Sequence, residues 1–372
     1  MSNDPMTPEV ARTGWWRDLR RISWFTARRL LALFVTVMIG VYLTIVIANM
    51  GGQVDELREL QIRGTISEQV RGDPSFMEMS SEERNELIEE QVQMEIERRN
   101  LDQPFFLRSI DYLVQAARLD LGRAEEMHSD AGAREVYAII VERLPATILL
   151  FGTANLLVFF VSVYAALHLS RRYGSRMDRA VIGLAPSSAA PGWFYGIFLI
   201  LIFAFIVPVL PAGGMVDIPP PEDNWEDVLS VMRHMVLPVT AMFISSIFIS
   251  IYSWRTFFLI HSSEDYVEMA RAKGLPSNLI QRRYILRPTL SPIITNFALM
   301  LIGLWSGAII LEQVFNWPGL GTLLFQAIGH RDTPVIIGSV VVFAYLLAVT
   351  VFLLDFLYAI LDPRVRIEGG QS

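Results

Sequence analysis

Six stretches of this chain are apolar over the length needed to cross a lipid bilayer. A spanning α-helix needs about 20 mostly apolar residues, because its backbone groups must pair within the helix where water is absent. The stretches comprise residues 30–49, 144–168, 193–210, 236–260, 292–311 and 335–361. Pro186 and Pro191 interrupt the approach to the third, so five crossings are the alternative. The pattern predicts an all-α, polytopic membrane protein whose first stretch is a permanent anchor and not a cleaved signal peptide.

Positive charge sets the predicted orientation, because short cytoplasmic loops of membrane proteins are rich in arginine and lysine. Arginines precede the first stretch and follow the second and the fourth, which places those segments inside the cell. Residues 1–29 are therefore predicted to be a cytoplasmic segment, and residues 362–372 a cytoplasmic tail. Residues 50–143 fall outside, where positions 51–143 hold 21 acidic residues against 11 arginines. Residues 144–361 form the predicted transmembrane core.

The external segment is predicted to be a small helical domain inserted between the first two spans. Ser80 and Glu83 have the spacing of a capping box, in which each residue bonds to the other's backbone N–H. A second helix is predicted after Asp102 as its cap, with Pro104 in its first turn. Its apolar stripe, which is expected to pack on neighbouring helices, comprises Phe106, Ile110, Leu113, Val114 and Ala117. A third helix over 133–143 leads into the second span. We expect the domain to cap the helix bundle, and a docking surface for a partner is the alternative.

Composition excludes several classes of function. The chain of 372 residues is 52% hydrophobic and only 19% charged, which is unlike a typical soluble enzyme. It has no cysteine, and its five histidines are scattered without the spacing of a metal site. The net charge of −7 disfavours nucleic acid as a partner. The sequence contains no phosphate-binding loop of the G-x-x-x-x-G-K-[ST] type, so any ATP hydrolysis must take place on another polypeptide.

One cytoplasmic segment, residues 262–290, is too long for a minimal turn and has the pattern of two short helices joined by a glycine. Ser262 or Ser263 is expected to cap the first helix, which Gly274 ends in a left-handed conformation. A second helix is expected over 277–287, ending before a proline. The segment is therefore predicted to be a rigid knob that fits a groove on a partner. The alternative is an amphipathic loop that lies on anionic lipid.

The sequence of this knob resembles a signature of known transporters. Residues 265–275, D-Y-V-E-M-A-R-A-K-G-L, are similar to the E-A-A-x-x-x-G signature of permease subunits in bacterial ATP-binding-cassette importers, with methionine replacing the first alanine. The resemblance is to the dipeptide and oligopeptide branch. Other matching stretches are L-D-Q-P-F-F-L-R (101–108), L-D-L-G-R (119–123), E-R-L-P-A-T (142–147), L-P-A-G-G (210–214), E-Q-V-F-N-W-P-G-L-G-T-L-L (312–324), R-D-T-P-V-I (331–336) and L-L-D-F-L-Y-A-I-L-D-P-R-V-R (353–366). The acidic stretch up to Asn100 is longer than is usual for this branch.

The resemblance implies a type I importer permease fold with six transmembrane helices in the bacterial inner membrane. It implies a second permease subunit, two cytoplasmic ATPase domains, an extracytoplasmic solute-binding protein and membrane lipid as partners. The ATPases would bind ATP and magnesium, and this chain would hold no cofactor. Short peptides would be the cargo, with nickel complexes, glutathione or oligosaccharides as alternatives. The implied ATPase-coupling residues are Glu268, Met269, Ala270, Arg271, Ala272, Lys273 and Gly274.

Candidates for the substrate path are polar side chains inside apolar spans. Asn155 and Asn296 carry amides that need a partner or water in hydrocarbon. Ser246 and Ser250 are one helical turn apart, on one face of the fourth span. Structural roles are the alternative for all four, namely hydrogen bonds between helices for the asparagines and close packing for the serines.

Two charged residues near the ends of spans are expected to be structural. Asp355, near the inner end of the last span, is expected to pair with Arg255 or another inner arginine, and Glu312 precedes a turn that shapes the outer mouth. The residues alone leave two other functions open. One is a secondary transporter, which would show internal repeats and no docking knob. The other is a membrane scaffold or sensor whose acidic external domain binds a partner.

Overall fold

The computed structural model describes residues 12–49, 53–72, 80–98, 103–221, 223–302 and 309–361. Over these ranges the chain is almost entirely helical, which confirms the predicted all-α class. The helices are α1 (Arg12–Asn49), α2 (Gln53–Gly72), α3 (Ser81–Arg98), α4 (Phe105–Ala117), α5 (Val136–Ser170), α6 (Arg176–Leu184), α7 (Gly192–Ile200), α8 (Asn224–Ser262), α9 (Asp265–Ala272), α10 (Ser277–Leu279), α11 (Arg287–Ile302), α12 (Ile309–Val314), α13 (Leu320–His330) and α14 (Thr333–Leu361). Short 3-10 or π-helical turns follow α6, α7 and α10, and cover Ala185–Ala189, Leu201–Ile206 and Ile280–Leu286.

Four helices in the described ranges are long and apolar enough to cross a membrane. They are α5, α8 and the segments Thr26–Ile47 of α1 and Thr333–Leu354 of α14. The count is five if Arg176–Ala189 and Gly192–Ile206, which are bent by 94° relative to each other, form one broken span. This bend lies where prolines interrupt the approach to the third predicted span. The fifth predicted span, 292–311, includes residues 303–308, which lie outside the described ranges. The count of six therefore stays a prediction.

One compact unit comprises Met1–Asp120 together with Val340–Phe352. Within it, α2 and α3 form a helical hairpin with its own small apolar core. The buried side chains of that core are Ile62, Ile66, Val70, Ile88 and Val92. Arg63 of α2 donates two hydrogen bonds to the Glu89 carboxylate of α3, at 2.7 and 3.0 Å. The acidic segment that is longer than usual for the resembled branch therefore contains a self-packed hairpin.

The capping box predicted at the start of α3 is confirmed. The Ser80 backbone N–H donates to Glu83 Oε2 at 2.9 Å, and the Glu83 N–H donates to Ser80 Oγ at 3.2 Å. The hydrogen bond from the Ser80 backbone, followed by the interaction with the Ser80 hydroxyl, lowers the pKa of Glu83 below its ordinary value. Asp102, the cap predicted for the next helix, lies outside the described residues, and Pro104 directly precedes α4.

Helix α4 packs against α1, but the face it buries is not the predicted apolar stripe. The buried side chains of α4 are Arg108, Ser109 and Ala116. Exposed members of the predicted stripe are Phe106, Ile110 and Val114. The prediction that this stripe packs on neighbouring helices is wrong for these three residues. Helical periodicity identifies an apolar face, but it does not say whether protein covers that face.

The second compact unit comprises Leu121–Ser339 together with Leu353–Ser372. The most extensive contact between two helices of this unit is the one between α5 and α8. The helix predicted over 133–143 is the start of α5, which continues through Pro145. Two apolar clusters hold the unit together, one around Trp317 and one around Phe258. The compact units do not test sidedness, so the predicted division into external and transmembrane domains stays a prediction.

Candidate functional site

The predicted knob, residues 262–290, contains the short helix α9. The predicted serine cap of this helix is wrong, because α8 extends through Ser262. The hydroxyls of Ser262 and Ser263 donate to backbone carbonyls of the preceding turn, at 2.6 and 2.8 Å. Serine hydroxyls often bond backwards in this way, and a hydroxyl so engaged does not cap the following helix. Glu264 occupies the N-cap position of α9 and makes no capping hydrogen bond with its side chain.

The end of α9 has the glycine conformation that the sequence predicts. Gly274 has a φ of +72°, in the left-handed region. Its N–H donates to the Arg271 carbonyl at 2.9 Å, and the N–H of Leu275 donates to the Ala270 carbonyl at 3.3 Å. These two bonds form a Schellman cap, which satisfies carbonyls that a helix end otherwise leaves unpaired. The prediction of a glycine stop at this position is confirmed.

Helix α9 has one buried face and one exposed face. Val267 and Ala270, three residues apart, are 0% and 3% exposed. The exposed coupling candidates are Glu268, Met269, Arg271, Ala272, Lys273 and Gly274. Met269 is 59% exposed, although methionine is a residue that is commonly buried. The buried face fixes the helix to the protein, and the opposite face presents charged and apolar side chains outward.

The buried side chains of α9 belong to an apolar cluster that also includes three long helices. The cluster contains Phe159 of α5, Phe258 of α8 and Ile293 of α11. Phe159 packs edge-to-face on Trp254 of α8, with ring centroids 6.1 Å apart, and its centroid is 5.1 Å from that of Phe297 in α11. Because protein interiors are close-packed, a displacement of α9 must also shift the side chains of these helices.

The second helix of the knob does not end before Pro288 as predicted. The chain passes from α10 through the π-helical turn Ile280–Leu286 directly into α11. Pro288 falls in the first turn of α11, where a missing backbone N–H is tolerated. The predicted stop is wrong because the hydrogen-bond register changes in the π turn just before the proline.

Gln281, which sequence analysis missed, connects the π turn to the end of α5. Its side-chain amide donates to the Leu167 carbonyl at 2.8 Å, and Arg171 Nη1 donates to its Oε1 at 3.0 Å. The two partners precede Gln281 by more than 100 residues, so no local pattern reveals these contacts. The knob is therefore attached to α5 by polar contacts as well as by the apolar cluster.

The four candidates for the substrate path lie in different environments. The Asn155 amide donates to the Phe151 carbonyl of its own helix at 2.8 Å. Ser246 and Ser250 are half-buried on α8, and Ser246 Oγ is 3.3 Å from the hydroxyl of Ser245. Asn296 is exposed on α11. No hydrogen bond joins any two of these four among the described residues, so they do not form a single polar cluster within one subunit.

Arg255 pairs with a carboxylate that sequence analysis did not identify, Asp178. It is buried in α8, where its guanidinium makes a bidentate ion pair with Asp178 of α6, with Nη2 2.6 Å from Oδ2. The guanidinium also lies 5.1 Å from the centre of the Tyr173 ring. The side chain of Asp355 lies outside the described part of the protein, so its expected pairing with Arg255 or another inner arginine stays a prediction. No group of three or more His, Asp or Glu side chains in that part could hold a metal ion.

The turn that follows α12 is built around the buried carboxylate of Glu312. Thr147 Oγ1 donates to Glu312 Oε1 at 3.1 Å, and the Thr322 N–H donates to Oε2 at 2.8 Å. The indole N–H of Trp317 donates to the Ala146 carbonyl at 2.9 Å, which joins the same turn to α5. Glu312 thus joins α12, α13 and α5, in agreement with the structural role expected for it.

Comparison with known proteins gives consistent similarities. Residues 159–367 match the family described as binding-protein-dependent transport system inner membrane component. The oligopeptide transport system permease protein AppB of Bacillus subtilis (strain 168) is 30% identical, covering 73% of this chain and 84% of that protein. The di/tripeptide transport system permease protein DppB of Pseudomonas aeruginosa (strain UCBPP-PA14) is 29% identical, covering 80% and 90%. The probable D,D-dipeptide transport system permease protein DdpB of Escherichia coli (strain K12) is 29% identical, covering 82% and 92%.

The matches and the helical fold agree on the class of protein. The family match spans more than half of the chain, and the matched region contains α9 and the turn that follows α12. The alternatives of a secondary transporter and of a scaffold without transport do not agree with this match. The family works with a binding protein and acts in transport, so the chain is a transport subunit and not an enzyme. The chain belongs to the family of binding-protein-dependent transport system inner membrane components, and it is a permease subunit of an ATP-binding-cassette importer.

Proposed function

We propose that this chain forms half of the translocation pathway of an importer for short peptides. A second, similar permease subunit completes the pathway, and two ATPase domains bind ATP and magnesium on the cytoplasmic side. A solute-binding protein delivers cargo from outside, and both termini of this chain are cytoplasmic. The arginine-rich inner segments support this orientation, since short cytoplasmic loops are enriched in positive charge.

The two-faced helix α9 is the observation that carries the proposal. Glu268, Met269 and Lys273 are exposed and available to a partner, whereas Val267 and Ala270 are buried against the spanning helices. A partner that moves the exposed face moves the buried face with it, because α8 ends two residues before α9 begins, and the Gly274 cap and the π turn follow its C-terminal end. ATPase closure in the cytoplasm would therefore be transmitted through residues 268–274 to α5, α8 and α11.

Asn296 is the strongest of the four candidates for the substrate path. Its amide is exposed on an apolar helix, and an amide facing hydrocarbon costs free energy unless water or protein meets it. We therefore place Asn296 on the polar surface between the two permease subunits, with Ser246 and Ser250 nearer the packed interior. Asn155 already donates to its own helix, which favours a structural role for it.

Uptake by the complete transporter tests the peptide cargo. In vesicles that contain both permeases, the ATPases and the solute-binding protein, a labelled di- or tripeptide should accumulate inward only when ATP is supplied. Unlabelled peptide should compete, whereas nickel complexes, glutathione and oligosaccharides should not. Competition by one of those three would show that this compound, and not a peptide, is the cargo. Transport that runs only outward would refute import.

A further inference from the structure

A third segment of the chain joins the two segments that flank α9. On one side of α9, α8 ends at Ser262, with two residues between the helices. On the other side, the chain passes through α10 into the π turn Ile280–Leu286. The third segment comprises residues 167–178, which run from the last turn of α5 into the first turn of α6, and we call it the α5–α6 segment. Polar side chains bond it to both flanks of α9.

The first junction joins the α5–α6 segment to α8 through a buried ion pair. Asp178 and Arg255 are 1% and 6% exposed, and Nε and Nη2 of Arg255 each donate to one oxygen of the Asp178 carboxylate. Oδ2 of Asp178 also accepts a hydrogen bond from the Gly174 N–H at 2.8 Å, so the carboxylate shapes its own turn as well. Arg255 lies about two helical turns before the end of α8. Because a bidentate pair fixes orientation as well as distance, it holds this end of α8 at a set angle to α6.

The second junction joins the same segment to the π turn through the side chain of Gln281. Its amide nitrogen donates to the Leu167 carbonyl at 2.8 Å, and its amide oxygen accepts from Arg171 at 3.0 Å. Leu167 and Arg171 are about one helical turn apart, so Gln281 spans the last turn of α5. The end of α8, α9, the π turn and the α5–α6 segment therefore form a closed ring of bonded segments.

The ring decides how the chain responds to a partner that displaces α9. In an open chain, α9 could rotate about the short links at its two ends, residues 263–264 and 274–276, while α5 and α6 stayed in place. Burial of apolar side chains resists separation of the helices, but it is non-directional and does not fix their angles. The two polar junctions are directional, so α9 cannot rotate without displacing the α5–α6 segment or breaking one of them.

We infer that Asp178, Arg255 and Gln281 are positioning residues for ATP-driven transport, which close the ring and so carry the displacement of α9 into α5 and α6. The inference rests on the proposed action of the ATPases through α9. A buried ion pair is often no more stabilising than apolar residues of similar volume, so a contribution to stability does not by itself explain this one. Fixing the angle between α6 and α8 is a task that apolar residues of the same size do not perform.

Two variants open the ring at different places. Asp178→Val combined with Arg255→Met replaces the ion pair with apolar residues of similar total volume, and Gln281→Met removes the second junction. The control, Arg123→Met combined with Glu135→Val, removes an exposed ion pair, 3.2 Å between its charged atoms, that joins two positions ahead of α5. Each variant is measured in the complete transporter in vesicles, as labelled peptide taken up per ATP hydrolysed. Its apparent Tm and its retention of the ATPases show whether it folds and assembles.

Both ring variants should lower uptake per ATP several-fold, while ATP hydrolysis continues and the apparent Tm stays close to that of the wild type. Opening a ring twice frees no more motion than opening it once, so the variant with all three substitutions should transport no worse than either ring variant alone. Independent, well-separated sites would instead give additive free-energy changes, which multiply the two losses. The control pair should keep the wild-type ratio.

Wild-type uptake per ATP in either ring variant, or multiplied losses in the combined variant, would overturn the inference. A thiol introduced by Met269→Cys into the otherwise wild-type chain, which has no cysteine, separates this result from failure of the proposed function. If that thiol does not cross-link to an ATPase, coupling through α9 is itself wrong. If it does cross-link while the ring variants transport normally, only the ring is refuted. Where substitution at 178 and 255 prevents folding, Gln281→Met alone decides, because it leaves the buried ion pair intact.

Discussion

Replacing Gly274 with valine is expected to lower ATP-dependent uptake roughly tenfold. A left-handed residue other than glycine costs about 1–2 kcal/mol, and a β-branched one is a genuine outlier in that region. Each 1.4 kcal/mol shifts an equilibrium about tenfold, so the population of the correctly capped end of α9 relative to uncapped conformations falls about tenfold. A Cβ atom at this position meets no atom within 4 Å, so the expected effect comes from the backbone conformation and not from crowding of the Cβ. Initial uptake rates in vesicles measure it.

Gly274→Asn is the control at the same position, since asparagine tolerates the left-handed region better than other residues with a side chain. It should retain most of the uptake. Gly183→Val is the control for the substitution itself, because Gly183 is helical, has open space and does not have a positive φ. Equal uptake by the wild-type protein and Gly274→Val would mean that the cap of α9 has no part in coupling.

Gly321→Ala is expected to destabilise the folded subunit because of crowding, whereas the effect of Gly274→Val comes from backbone conformation. Its backbone conformation is ordinary, but a Cβ atom there would lie 2.9 Å from Glu312 Oε2 and 2.9 Å from the Cα of Ile309. The carboxylate is held by Thr147 and Thr322, so it cannot move away without losing these hydrogen bonds. Overpacking of this kind costs about 1–3 kcal/mol, and here the crowded atoms include backbone. We expect a lower apparent Tm of the purified transporter and a reduced yield of assembled complex.

Gly329→Ala is the matched control, because Gly329 lies in the same helix, α13, and has no atom within 4 Å of its Cβ position. Alanine at an unstrained, open helical position stabilises by about 0.4–1 kcal/mol through the unfolded state. The two variants should therefore shift the apparent Tm in opposite directions at one scan rate. A drop of the same size for both would contradict the role assigned to the turn around Glu312.

Local backbone signals were readable from the sequence. The capping box at Ser80 and the glycine stop at Gly274 depend on residues within a few positions, and both are present in the structure. The all-α class followed equally directly from the long apolar stretches. The resemblance carried by residues 265–275 led to the correct family, because that signature lies on a surface helix where composition is not dictated by packing alone.

Features that depend on distant residues were not readable. The contacts of Gln281 with the end of α5, and of Glu312 with Thr147, join positions more than 100 residues apart. The same dependence on distant residues explains why the ion pair of Arg255 with Asp178 was missed and why the wrong face of α4 was expected to be buried. The serine cap and the stop at Pro288 failed for a different reason. Local rules allowed them, but α8 continued through Ser262, and the π turn allowed the helix to continue past the proline.

The central claim is that cytoplasmic ATPases act on this permease through the exposed face of α9. A single thiol introduced by Met269→Cys tests it most directly, because the chain has no other cysteine and this side chain is 59% exposed. With a short thiol-to-amine cross-linker, the complete transporter should give a covalent adduct between this chain and an ATPase subunit, at a yield that changes when ATP is bound. Gln115→Cys, on α4, which lies in the segment predicted to be external, should give none. Absence of this adduct would contradict coupling through α9. Labelling of the cysteine at position 269 by an impermeant reagent applied from outside the cell would contradict it as well.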